Sequence, residues 1–177
     1  IKGTRPRCGN DDAAARELLA SPKERAELVM ITDLERNDLG QVCQYGSVRV
    51  TGLCELESFA QVHHLVSTVE GRLRDGVSAV QALRACYPGG SITGAPKKRA
   101  REIIDELESV PRGVYTGALG FFHADGSAAF NIAIRTLVVR EGTATFGVGA
   151  GIVADSDPVL EYEETLHKAA GLHAASG

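Results

Sequence analysis

Partial alternation of apolar and polar positions, rich in β-branched residues, runs through residues 42–44, 47–55 and 61–69 and is broken by Gly46. It predicts antiparallel strands. Ahead of them, residues 10–19 read as a short helix. Ser21-Pro22-Lys23-Glu24 announces a longer one, with serine as N-cap, proline at the first helical position and glutamate three residues after the cap, the pattern of a capping box. That helix is predicted to reach about Leu39, with Gly40 ending it. A further helix lies near residues 78–86, and a loop rich in Gly, Pro, Ser and Thr then feeds a helix over residues 96–107. Beyond Pro111 the strand pattern returns in residues 115–122, 128–140 and 143–153, joined by the turn signals Ala124-Asp125-Gly126-Ser127 and Glu141-Gly142-Thr143. This is an antiparallel meander. Asp157-Pro158 opens a last helix that fades near Gly171. With no repeat, linker or low-complexity segment, residues 1–177 read as one α+β unit.

Composition narrows the function classes. A chain of 177 residues can bury about 70% of the surface its unfolded form exposes, enough for a substantial core. The hydrophobic fraction is 44% and the net charge −4, which argues against a disordered chain and against a basic nucleic-acid binder. No apolar run has the length of a membrane span and no signal peptide is evident, so a cytoplasmic protein is expected. Cys8, Cys43, Cys54 and Cys86 are scattered without a Cys-x-x-Cys pair, as expected of reduced thiols. The first residue is Ile1 rather than methionine, which suggests a piece of a longer chain.

Two glutamate pairs stand three residues apart, Glu24 with Glu27 on the long second helix and Glu161 with Glu164 on the last. Each pair faces one way. Brought together, the two helices would offer four carboxylates, a hard-oxygen environment suited to Mg²⁺. Each pair alone also has a plain structural account: Glu24 as the capping-box acid, and the second pair as first-turn acids that complement the helix dipole. Lys168, four residues after Glu164, either closes an i, i+4 salt bridge or meets an anionic substrate. In Phe-Gly-Val-Gly-Ala-Gly-Ile-Val, Gly147, Gly149 and Gly151 leave one face of a predicted strand bare, so a packed element or a ligand approaches that backbone. Arg135, in mid-strand and in phase with Asn131 and Ala133, needs water or an anion. The stretch from Gly89 to Lys98 combines two hydroxyls with a helix N-terminus, a generic anion site without the Walker A spacing. His63 and His64 point to opposite faces of their strand.

In order along nearly the whole chain, IKGTRPR, ERAELVMITDLERNDLG, GGSITGAPKKRAREIIDELE, PRGVYTGALGFF, NIAIRT and GVGAGIVADSDPVLEYEET resemble the chorismate-utilising enzymes, and within them the aminodeoxychorismate synthase component I type. The resemblance implies an α+β fold, here its C-terminal portion, with two large, mainly antiparallel sheets flanked by helices. It implies that Glu24, Glu27, Glu161 and Glu164 surround Mg²⁺. Ser91, Tyr115, Arg135, Lys168 and the Gly149 backbone would hold chorismate, and Thr4 and His64 would lie near the ring hydroxyl that leaves. In the anthranilate synthase branch, position 2 is typically alanine. Lys2 resembles the aminodeoxychorismate synthase branch, where that lysine attacks C2 of chorismate, expels the C4 hydroxyl and leaves an adduct for ammonia from a glutaminase partner to displace. The family also carries upstream strands and a glutamate that serves as general acid, and neither lies within these residues. The alternatives are another chorismate enzyme, such as anthranilate synthase, or a fragment that binds ligand without turnover.

Overall fold

The computed structural model describes residues 1–7, 11–154 and 156–175, so Cys8 and the predicted helix start at Asn10 lie outside the described residues. The fold is α+β and the chain comprises two compact units, Ile1–Cys86 and Tyr87–Gly177.

In the first unit, β1 (Thr4–Pro6), β2 (Arg49–Ser58) and β3 (Val62–Glu70) form an antiparallel sheet in the order β1-β3-β2, accompanied by α1 (Asp11–Ala20), α2 (Pro22–Gly40) and α3 (Ala79–Cys86). Alternation along β3 does what its period requires: His63 and Leu65 are buried, while His64 between them is only half-buried on the other face. Leu65 joins Leu18 of α1, Leu28 of α2 and Cys54 of β2 in the core. The Cys54 residue sits at a bulge, with φ 52° and its amide donated to Ser67 Oγ instead of a sheet carbonyl.

The helix signals hold with local changes. Ser21 Oγ accepts the Glu24 amide, but the Glu24 carboxylate turns to Arg5 and only half of the capping box forms. Gly40 does not end α2 by a left-handed turn; it is the last helical residue and Gln41 follows in right-handed geometry. A full reciprocal box forms instead at α3, where Ser78 Oγ accepts the Gln81 amide and Gln81 Oε1 accepts the Ser78 amide. Residues 42–44 contribute a single bridge, Cys43 to Leu73, rather than a strand.

The second unit contains α4 (Gly90–Thr93), α5 (Lys97–Leu107), the hairpin β4 (Ala118–Phe122) with β5 (Ala128–Ile132), the hairpin β6 (Val138–Arg140) with β7 (Thr143–Thr145), and α6 (Pro158–Ala175). The predicted strand over residues 128–140 is broken. Ala133, fully buried, exchanges backbone hydrogen bonds with Thr116 and Gly117, after which the chain bends, and Arg135 occupies φ +49° at the bend. The expectation of Arg135 in mid-strand is therefore corrected. Nor do residues 146–153 form a strand, since β7 ends at Thr145. Tyr115 lies in a turn before β4. The last helix begins where Asp157 predicts, its carboxylate capping the Val159 and Leu160 amides, and continues through Gly171. Leu119, Phe121, Phe122, Phe130 and Ile132 of the β4-β5 hairpin are exposed, an amount of apolar surface that a two-stranded sheet does not normally leave to water.

Gly3 has two reasons to be glycine. Its φ is +88°, and a Cβ there would lie 2.9 Å from the Leu18 side chain and 3.2 Å from the Glu24 carboxylate. Replacing Gly3 by Ala is expected to cost about 1–3 kcal/mol, since a left-handed conformation and close contact act together. Urea unfolding should show the midpoint fall with an unchanged slope; an unchanged midpoint would mean the turn relaxes freely.

Candidate active site

Lys2, Thr4 and the glutamates of α2 are brought together by one piece of backbone. The Lys2 amide donates to the Leu65 carbonyl at 3.1 Å, and β1 then pairs with β3 in a register that sets Thr4 opposite His64 and Arg5 opposite His63. Thr4 and His64 face away from the core and meet at 2.9 Å between Thr4 Oγ1 and His64 Nδ1. The Phe59 ring meets the imidazole edge-on, with centroids 5.6 Å apart. His63, by contrast, is buried on Ser58 at 2.8 Å and takes no part in this pair.

α2 presents Glu24 and Glu27 one turn apart, beside buried Leu28. Lys2 Nζ lies 2.7 Å from Glu27, with the two side chains 31% and 17% exposed. The Arg5 guanidinium is 3.7 Å from Glu24 and also hydrogen-bonds Glu17 at 2.9 Å. The two carboxylates are thus partly withdrawn from water and already hold cationic groups. Their hard-oxygen chemistry suits Mg²⁺, which commonly takes one or two carboxylates and keeps several waters. Among the described residues no cluster of three or more metal-ligating side chains forms.

In the second unit the glycine segment acquires its explanation. The Tyr115 ring occupies the space a side chain would need: a Cβ on Gly147 would lie 2.4 Å from the ring, and one on Gly149 would lie 2.9 Å from the hydroxyl. The close neighbour is an aromatic side chain rather than a packed strand or helix. Lys168 Nζ donates to the Gly149 carbonyl at 2.9 Å and pairs with Glu164 at 2.6 Å, so the i, i+4 salt bridge expected from spacing exists and also ties α6 to the glycine segment. Glu161 is buried and accepts the Ser156 hydroxyl at 2.7 Å; Ser156 Oγ in turn accepts the Val153 amide.

Tyr115, Gly149, Lys168 and Glu164 therefore form one group, while Ser91 is exposed on the one-turn helix α4 and Arg135 is exposed at its bend. Sequence reasoning missed two supports. Ser156, which steadies Glu161, could have been found as the residue before the Asp157 cap. Arg112, which holds Glu108 with two hydrogen bonds at 2.8 and 2.6 Å and reaches Thr116 beside Tyr115, carried no signal beyond a polar turn.

Burial pushes the Tyr115 phenol above its ordinary value, against the opposing pull of Arg112, while the Glu108 charge adds to the rise. The phenol thus stays a neutral hydrogen-bond donor near neutral pH. The folded protein keeps this proton more tightly than the unfolded chain does, so stability falls as pH rises past the unfolded tyrosine value of about 10. Denaturant titrations between about pH 8 and pH 11 should show that loss, and Tyr115→Phe should reduce it. Equal alkaline slopes in both proteins would remove Tyr115 as the source. At the acid end, the Arg112 hydrogen bonds hold Glu108 below the usual carboxylate range. Their stabilisation is present above the unfolded carboxylate value and lost as pH falls through the folded one, a small effect because the pair is solvent-screened.

Among the described residues no helix is long and apolar enough to cross a membrane. The family model for chorismate binding enzymes matches residues 1–174. The chain is 56% identical over 172 residues to an aminodeoxychorismate synthase of Streptomyces pristinaespiralis, covering 96% of this chain and 24% of the relative. It is equally 56% identical over 171 residues to anthranilate synthase component 1 of Streptomyces coelicolor, covering 95% of this chain and 34% of the relative. A crystal structure of anthranilate synthase component I from Streptococcus pneumoniae superposes with a TM-score of 0.85 at 45% identity, covering 96% of this chain and 39% of that one. The chain thus spans between a quarter and two-fifths of the length of these relatives, and over that span it belongs to the family of chorismate binding enzymes.

Proposed function

We propose that this chain serves the aminodeoxychorismate synthase reaction, in which chorismate and ammonia give 4-amino-4-deoxychorismate, with ammonia supplied by a glutaminase partner. The observation that carries the reading is Lys2, pinned by its backbone to β3 with its side chain directed to Glu27 on α2. Overall similarity does not choose between reactions, because relatives named for either one stand at 56% identity. Position 2 supports the first of them. The anthranilate synthase branch typically places alanine there, and alanine cannot form the bond that a lysine amine can.

In this reading the neutral Lys2 amine bonds to C2 of chorismate, the two conjugated ring double bonds each shift by one position and the C4–O bond breaks. The amine loses one proton and the departing hydroxyl gains one. Ammonia then bonds to C4 and gives up one proton, both double bonds shift back, and the bond from C2 to Lys2 breaks as its nitrogen takes up one proton, restoring the amine. Thr4 and His64, joined at 2.9 Å, are the hydrogen-bonding groups assigned to the leaving hydroxyl. Neutral Tyr115, Lys168, Arg135, Ser91 and the Gly149 backbone are assigned to the carboxylates and side chain of the substrate. Glu24, Glu27, Glu161 and Glu164 are the carboxylates proposed for Mg²⁺, which when bound offsets the negative charge of the substrate.

Supplying the enzyme with chorismate, Mg²⁺ and ammonium, then separating the products by chromatography, tests the assignment. 4-Amino-4-deoxychorismate is expected. Anthranilate in its place would move the chain to the sister branch despite Lys2, and chorismate binding by calorimetry without either product would leave a binding role alone.

A further inference from the structure

Lys2 and Glu27 are both held in place by their own elements. Lys2 follows from the pairing of its amide with Leu65, itself fully buried, and Glu27 precedes Leu28, which is 1% exposed in the same core. Neither backbone can move away without disturbing the core cluster. The 2.7 Å contact between the Lys2 ammonium and the Glu27 carboxylate is therefore a contact between two anchored groups, and it engages the amine that the proposed chemistry uses. A carboxylate oxygen that accepts an ammonium at this distance cannot give the same lone pair to a divalent ion at full strength. One oxygen has two claimants.

We propose that Lys2 is a built-in competitor for the cation position on Glu27, so that Mg²⁺ and the Lys2 ammonium exclude each other there and loading of the metal releases the lysine side chain toward substrate. The inference rests on the assignment of Glu27 to Mg²⁺ made above. It adds a reason for order in the reaction: the metal-free protein keeps its nucleophile parked on Glu27, and only the metal-loaded protein presents it. Arg5 reinforces the arrangement, because it lies at the longer distance of 3.7 Å from Glu24 and divides itself with Glu17, leaving Glu27 as the carboxylate with the tighter side-chain cation. The strength of the competition is bounded by that of a partly exposed ion pair, up to about 1 kcal/mol, which corresponds to about a fivefold change in an equilibrium.

The test follows Lys2 by chemical labelling rather than by turnover. The full chain is treated briefly with an amine-acetylating reagent, with and without Mg²⁺, and the rate at the Lys2 peptide is compared with that at Lys23, Lys97 and Lys98 by mass spectrometry; Mg²⁺ binding is followed in parallel by calorimetry. Mg²⁺ should raise the Lys2 rate about two- to fivefold and leave the other lysines unchanged. Glu27→Gln, without metal, should label Lys2 as fast as the metal-loaded parent protein does. Lys2→Met should bind Mg²⁺ about two- to fivefold more tightly than the parent. If Mg²⁺ binds by calorimetry but Lys2 labels no faster, or if Glu27→Gln labels Lys2 at the parent's metal-free rate, the competition is overturned while the metal assignment stands. If Mg²⁺ does not bind at all, the metal assignment falls and this inference falls with it.

Discussion

Chorismate and Mg²⁺ without ammonia should leave the enzyme heavier by one chorismate less one water, with the added mass on the peptide that contains Lys2. The first half of the proposed reaction forms the bond to C2 and expels the C4 hydroxyl, and without ammonia the second half has no reagent. Lys2→Ala should show no added mass, because no amine remains at that position. Lys2→Arg is the sharper control: it keeps a cation opposite Glu27, yet its guanidinium stays protonated and cannot act as a nucleophile. If electrostatics were all that Lys2 contributed, the arginine variant would turn over like the parent. Some residual turnover in Lys2→Ala is compatible with direct attack of ammonia on the ring. Intact-protein and peptide mass spectrometry after trapping decides the matter. An enzyme that turns over without any adduct on the Lys2 peptide would reduce Lys2 to a positioning residue.

How much of this arrangement the sequence disclosed depends on whether the signal was local. The start of α2 was legible because Ser21 and Pro22 act within one helical turn, and the start of α6 because Asp157 caps amides two and three residues away. The opposite faces of His63 and His64 followed from strand period alone. Glu164 with Lys168 was legible too, since an i, i+4 pair lies on one helix face whatever the rest of the chain does. What the pattern could not supply was the partner across long separations. Lys2 meets Glu27, and Thr4 meets His64, only because β1 pairs with β3, and that pairing is sixty residues distant in sequence. Strand lengths failed for the same reason. Residues 128–140 carry strand-forming side chains throughout, but the ladder stops where Ala133 bonds the turn before β4, so Arg135 falls at a bend. The alternate glycines mark a place of close approach, but they lie outside any strand, and nothing local says that the neighbour is Tyr115.

That neighbour makes the second large effect. Gly147→Ala should destabilise the protein by about 1–3 kcal/mol, the usual cost of forcing a methyl group into occupied space, because the new Cβ would stand 2.4 Å from the Tyr115 ring. The ring cannot simply retreat, since its backbone belongs to the turn in which Thr116 and Gly117 exchange hydrogen bonds with buried Ala133. If the clash with the ring is the whole cause, removing the ring should remove the penalty. Tyr115→Ala alone is expected to cost stability through lost packing, but Gly147→Ala added to it should cost much less than in the parent. Residues in direct contact show coupling of about 0.5–3 kcal/mol in such cycles. Gly149 gives an internal comparison: its Cβ would meet only the hydroxyl, at 2.9 Å, so Tyr115→Phe should relieve Gly149→Ala and leave the Gly147→Ala penalty intact. Urea unfolding of the parent, the single variants and the three double variants measures all of these terms. Additive penalties at both glycines would mean that the backbone conformation, and not the Tyr115 ring, requires glycine there.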